Sequence, residues 1–184
     1  MNTERIAEAF FWNGLQYYIS AWFAAQSGLM PVAGNLFHHA IEQFLKGGLS
    51  TSHSEPKLKK LGHDLNRLWA SFKTSILGRD LTEFDDLITH LDPFEHIRYP
   101  QNLVNEGMFA TVAWEASPST EMVKSNSPDI PQYGVIVQEI DRLVRTLFDT
   151  CAKNPLHFIG GLNEHALEQL HFHNPSFPKS VKNK

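Results

Sequence analysis

The chain has 184 residues, 42% of them hydrophobic and 20% charged, with a formal net charge of −4. This composition suits one packed core and excludes both a globally disordered chain and a strongly basic nucleic-acid coat protein. A single cysteine, Cys151, excludes an internal disulfide framework and a four-cysteine zinc site.

The first residues, Met1-Asn-Thr-Glu-Arg5, lack the basic and apolar regions of a signal peptide. No apolar run reaches the roughly 18 residues of a membrane span. A cytoplasmic protein without membrane association is expected. Residues 5–27 read as a first helix, with Thr3 as N-cap and Glu4 near the positive helix end. Its apolar residues, among them Phe10, Phe11, Leu15, Tyr18, Ile19 and Trp22, run almost all the way round, the pattern of a helix buried on more than one side. Ser27-Gly28 reads as its stop.

A second helix is expected from Pro31 to Lys46, with Leu36, Phe37, Ala40, Ile41, Phe44 and Leu45 at helical spacing and Gly47-Gly48 as its end. Residues 50–60 are polar and aperiodic, so an exposed loop carrying Lys57, Lys59 and Lys60 is expected. Gly62-His63-Asp64 opens a third helix with Leu65, Leu68, Trp69 and Phe72 inward. Thr82 opens a fourth, which Asp92-Pro93 ends or kinks. Phe94 to Pro100 is a connecting segment with Glu95, His96, Arg98 and Tyr99.

Met108 to Trp114, rich in β-branched and aromatic residues, suits a short strand. Residues 116–131 have a loop composition. A long helix is expected over 133–151 and a shorter one near 163–170, followed by a frayed end. The reading is an all-α, up-and-down bundle of four to five helices, with an irregular insertion at 101–132 and a short C-terminal helix. Residues 1–155 form the bundle; residues 156–184 form the terminal helix and flexible tail.

The second helix also carries His38, His39, Glu42 and Lys46. Glu42 and Lys46, four residues apart, have the favoured orientation for a helical ion pair. Taken alone, this is a solvated polar face. His63-Asp64 at a helix start suits capping, with Asp64 accepting backbone N–H groups. Ten histidines are present, with His165, His171 and His173 near the end. Glu164, Glu168 and His171 share a helix face, but no His-Glu-x-x-His motif occurs. No metal site or cofactor is expected there, only a solvated terminal helix. Cys151 reads as packing rather than as a nucleophile.

The stretch Leu36-Phe-His-His-Ala-Ile-Glu-Gln-Phe-Leu-Lys46, then a polar loop, then Gly62-His-Asp-Leu-Asn-Arg-Leu68, then Arg98-Tyr99-Pro100, resembles the HEPN family (higher eukaryotes and prokaryotes nucleotide-binding domain). The resemblance covers about residues 5–150. It implies a helical bundle, usually a homodimer, with Glu42 and Asp64 in a structural polar signature.

Many HEPN members are metal-independent ribonucleases, with an Arg followed after four to six residues by a His. Here Leu103, Val104 and Asn105 occupy the permitted positions after Arg98, and no other Arg has a His in range. His96 precedes Arg98. The expectation is therefore a non-catalytic HEPN-like protein that binds a nucleotide, RNA or a protein partner, such as a nucleotidyltransferase, in a toxin–antitoxin or phage-defence setting. Its binding residues would be Lys46, His63, Arg98 and Tyr99. Two alternatives stand beside it: a ribonuclease with a non-standard pair, Arg98 with His63 or His96, and a structural dimeric module.

Overall fold

The computed structural model describes residues 3–76, 78–107, 109–115, 132–174 and 177. It is a mostly helical bundle whose centre is formed by α1 (Thr3–Gln26), α2 (Met30–Leu49), α4 (Leu65–Ser75) and α7 (Val137–Thr150). These are the first, second, third and last long helices expected from the apolar spacing. α1 and α2 are antiparallel, joined by a short turn in which Gly28 takes φ 74°, a conformation glycine adopts without a Cβ penalty. Phe11 meets Phe44 at 5.4 Å between ring centroids, and both meet Phe148 of α7, tying three helices together.

Several local expectations need correction. α2 runs through Gly47-Gly48 to Leu49. These glycines are contact points rather than a stop. A Cβ on Gly47 would lie 2.7 Å from the Phe11 ring, and one on Gly48 would lie 2.4 Å from Phe72. Within the expected loop at 50–60, a short helix α3 (Glu55–Leu61) forms. Pro56 suits its first turn, and Leu58 is buried in the core. Asp64 caps α4 by accepting the Arg67 backbone N–H at 2.8 Å.

After a 3₁₀ turn (Thr82–Phe84), α5 (Asp85–Leu91) passes into a 3₁₀ helix (Asp92–Arg98). The supposed irregular insertion begins as helix α6 (Pro100–Glu106). Strand β1 (Phe109–Ala113) then pairs in parallel with β2 (Gln132–Ile136), Val112 opposite Val135. Residues 133–136, expected as helix, are therefore strand, and the helix starts at Val137. Val135 is buried in the core, and the paired edge gives residues 132–136 their backbone partners. The loop composition at 116–131 lies outside the described residues.

The C-terminal part joins the same core. α8 (Pro155–Ile159) inserts Phe158 against Phe11 and Phe148. α9 (Glu164–His173) is capped by Asn163. Glu164, His165 and Glu168 are exposed, as expected of a solvated helix, but its other face packs on the core: Leu170 is buried, and the His165 ring stacks on Phe23 at 5.6 Å. Within the tail expected to fray, residues 171–173 continue α9, and Asn174 and Phe177 are buried; residues 175–176 and 178–184 lie outside the described residues. Asp141 of α7 accepts from the Tyr18 hydroxyl and, at 3.1 Å, from the Trp22 indole N–H. The Asn174 amide donates to the same Tyr18 hydroxyl, so one polar knot holds α1, α7 and the C-terminal segment. No described helix is long and apolar enough to cross a membrane.

Candidate functional site

The polar residues of α2 do not form a solvated face. His38 and Glu42 are buried, Glu42 with only 2% of its side chain exposed. A buried carboxylate is stable only when its oxygens are satisfied. Glu42 meets this with three partners: Lys46 Nζ at 2.7 Å on Oε1, and His63 Nδ1 at 3.0 Å and His39 Nδ1 at 3.3 Å on Oε2. Burial pushes the Glu42 carboxyl up, but the hydrogen bonds from His39, Lys46 and His63 and the Lys46 charge outweigh it and bring it to about 2. Glu42 is thus ionised at neutral pH, and it fastens the start of α4 to α2 through His63.

Glu95, on the 3₁₀ helix, sits on the other side of His39. Its Oε1 forms an ion pair with Arg98 Nη2 at 2.9 Å. Its Oε2 lies 3.6 Å from His39 Nε2 and 4.0 Å from His38 Nε2. These two distances are too long for hydrogen bonds. Packing fixes the segment: a Cβ on Gly34 would fall inside the Phe94 ring, and Asn35 Nδ2 donates to the Phe94 carbonyl at 3.0 Å. His38 Nδ1 lies 3.2 Å from the Leu91 carbonyl. Burial lowers the His38 pKa, so its ring is neutral at physiological pH.

The result is one polar chain, Lys46–Glu42–His39–Glu95–Arg98, with His63 branching at Glu42 and Tyr99 at Arg98. The Arg98 guanidinium donates to the Tyr99 hydroxyl at 2.8 Å and covers its ring at 5.1 Å. The exposed ends are His63 (54%), Arg98 (43%) and Tyr99 (47%). Lys46 is mostly covered and lines a groove of about 380 Å³ with Ile6, Phe10, Leu58 and Lys59.

The sequence-derived residues therefore divide. Lys46, Glu42 and His63 touch directly. Arg98 and Tyr99 join them through Glu95 and His39. Arg98 pairs with Glu95, not with Glu42 or Asp64. Asp64 serves as the α4 cap. His96 is exposed and contributes its carbonyl to Asn102 at 3.1 Å. Sequence reasoning did not assign a role to His38, His39 or Glu95. The available signals were the adjacent histidines one helical turn before Glu42 and the Glu three residues before Arg98.

Cys151 lies by Gly48, and burial pushes its thiol up to about 12 against the lowering effect of Lys153. Such a thiol is protonated at neutral pH and is not a nucleophile.

Compared with family models, curated proteins and solved structures, the chain matches none.

Proposed function

We propose that this chain is a non-catalytic, HEPN-like binding module that takes the phosphate and base of a nucleotide or RNA on the rim formed by His63, Arg98 and Tyr99. The observation that carries the reading is the pairing of Arg98 with Tyr99 over half-buried Glu95. A cation for phosphate and an aromatic face for a base are held side by side and partly open to solvent. The carboxylates beneath them hold these groups in place before a ligand arrives, which lowers the ordering cost of binding. Lys46, tied to Glu42, supplies charge from behind the rim. A homodimer in a toxin–antitoxin or phage-defence setting is the context the family resemblance implies.

Anisotropy titration with a labelled single-stranded RNA and with a labelled nucleotide tests the reading. Affinity should fall with salt, because phosphate contacts release counterions. Arg98→Ala or Tyr99→Ala should weaken it by about tenfold or more, from the loss of a charged hydrogen bond or a stacked base. Saturable binding untouched by either change, or no binding of either probe at low salt, refutes it.

A further inference from the structure

His38, His39 and Glu95 turn electron-rich atoms toward one another. His38 and His39 direct their Nδ1 atoms to oxygens: Leu91 O at 3.2 Å and Glu42 Oε2 at 3.3 Å. With Nδ1–H donating in each, both rings present an Nε2 lone pair. Both Nε2 atoms lie near the same carboxylate oxygen, Glu95 Oε2, at 4.0 and 3.6 Å. Three electron-rich atoms thus converge with no donor between them. Among the described residues, His38 Nε2 and Glu95 Oε2 are both buried without a hydrogen-bond partner, and the His38 side chain is 0% exposed. Leaving such atoms unsatisfied in a core is costly, and a bound cation removes the cost.

We infer that His38, His39 and Glu95 form a binding site for one divalent transition-metal ion of the zinc class. One ligand atom from each residue falls within 4.8 Å of the others. Tetrahedral zinc, about 2.1 Å from each donor, sets its donors about 3.4 Å apart. The 3.6 and 4.0 Å separations need only small side-chain rotations to close on an ion. Two imidazoles and one carboxylate are a zinc donor set that leaves a fourth position for water or a ligand.

The surroundings match what metal-binding histidines require. Glu42 accepts from the far nitrogen of His39, the Leu91 carbonyl faces that of His38, and Arg98 occupies the other oxygen of Glu95. Such outer partners fix the ring tautomers and leave Glu95 to ligate through Oε2. Adjacent residues diverge by about 100° around a helix. His38 and His39 converge only because Glu95 is brought over α2 between them, seated by Phe94 against Gly34.

A second cluster, His39, Glu42 and His63, also has three ligand atoms within 4.8 Å of one another. There the distances are 3.0 and 3.3 Å and hydrogen bonds already satisfy the atoms, so it does not call for an ion.

The test uses the tag-free full chain, stripped with a chelator and titrated with Zn²⁺ by calorimetry and with Co²⁺ by visible absorption. The expected result is one ion per chain, the intense visible bands of low-coordinate Co²⁺, and a higher melting temperature on adding Zn²⁺. Glu95→Gln keeps an oxygen for Arg98 but replaces the ligand oxygen with an amide N–H. It should weaken binding by about 100-fold or more, as should His39→Ala, with helical circular dichroism retained. If His39→Ala fails to fold, Glu95→Gln carries the test alone. His63→Ala should change affinity by less than about tenfold. No saturable binding up to about 100 μM, a free energy of about −5.5 kcal/mol, overturns the inference. So does binding indifferent to Glu95→Gln, or binding lost with His63→Ala but kept with Glu95→Gln.

Discussion

Gly34 of α2 lies directly beneath the Phe94 ring: a Cβ at Gly34 would come within 1.9 Å of its Cε1 and 2.1 Å of its Cδ1. The next residue is Glu95, so this contact sets the height of the carboxylate over His38 and His39. Phe94 is fully buried and also meets Tyr133 of β2 at 5.5 Å between centroids, which leaves the ring little room to retreat.

Gly34→Ala should therefore destabilise the fold by about 2–3 kcal/mol through overpacking. In a chain of this length that is a drop of about 5–10 °C in Tm. Calorimetric or circular-dichroism melting checks it. An unchanged Tm would show that Phe94 is not held against α2.

Asp141 sets a pH dependence. Burial raises its carboxyl, the hydrogen bonds from Tyr18 and Trp22 pull it back, and the balance lies at about 7. Unfolded, it returns to 3.8. Between these values the folded chain binds more protons than the unfolded one, so this group's contribution to stability declines from about pH 4 to pH 7 and is flat above that. At about 1.4 kcal/mol per pH unit the change is on the order of 4 kcal/mol. Denaturant titrations of wild type and Asp141→Asn at pH 4, 5.5 and 8 isolate it. The stability of wild type relative to Asp141→Asn should fall as pH rises, and a constant difference would show that Asp141 titrates normally.

Cys151 should be unreactive. With its thiol at about 12, alkylation at neutral pH should be slower by at least about 100-fold in the folded chain than in denaturant. Mass spectrometry of the iodoacetamide adduct over time reads this directly. Rapid labelling of the native chain would place the thiol at a more open site.

RNA cleavage by the purified protein should be at most slight and insensitive to Arg98→Ala. Proton transfer by a positioned group supplies about 10²- to 10⁴-fold in rate. The positions where a His would follow Arg98 hold Leu103, Val104 and Asn105. Arg98 itself is engaged by Glu95 and Tyr99. Robust metal-independent cleavage abolished by His63→Ala or His96→Ala would favour the ribonuclease reading instead.

The sequence alone determined the helical bundle, because apolar residues recurring at helical spacing can be buried together only on packed helices. It also determined the ion pair of Glu42 with Lys46 and the Asp64 cap, since both act within one turn of helix. Tertiary structure decided whatever depends on distant partners. Gly47-Gly48 has the composition of a stop, yet it lies within α2 because Phe11 and Phe72 need the space a Cβ would take. Residues 133–136 carry a helical pattern onward from α7, but β1 supplies them with a strand partner. The convergence of His38 and His39 on Glu95 was beyond reach of spacing. Adjacent residues point apart on a helix, and the carboxylate that joins them arrives from more than fifty residues away, on a segment positioned by an aromatic ring against a glycine.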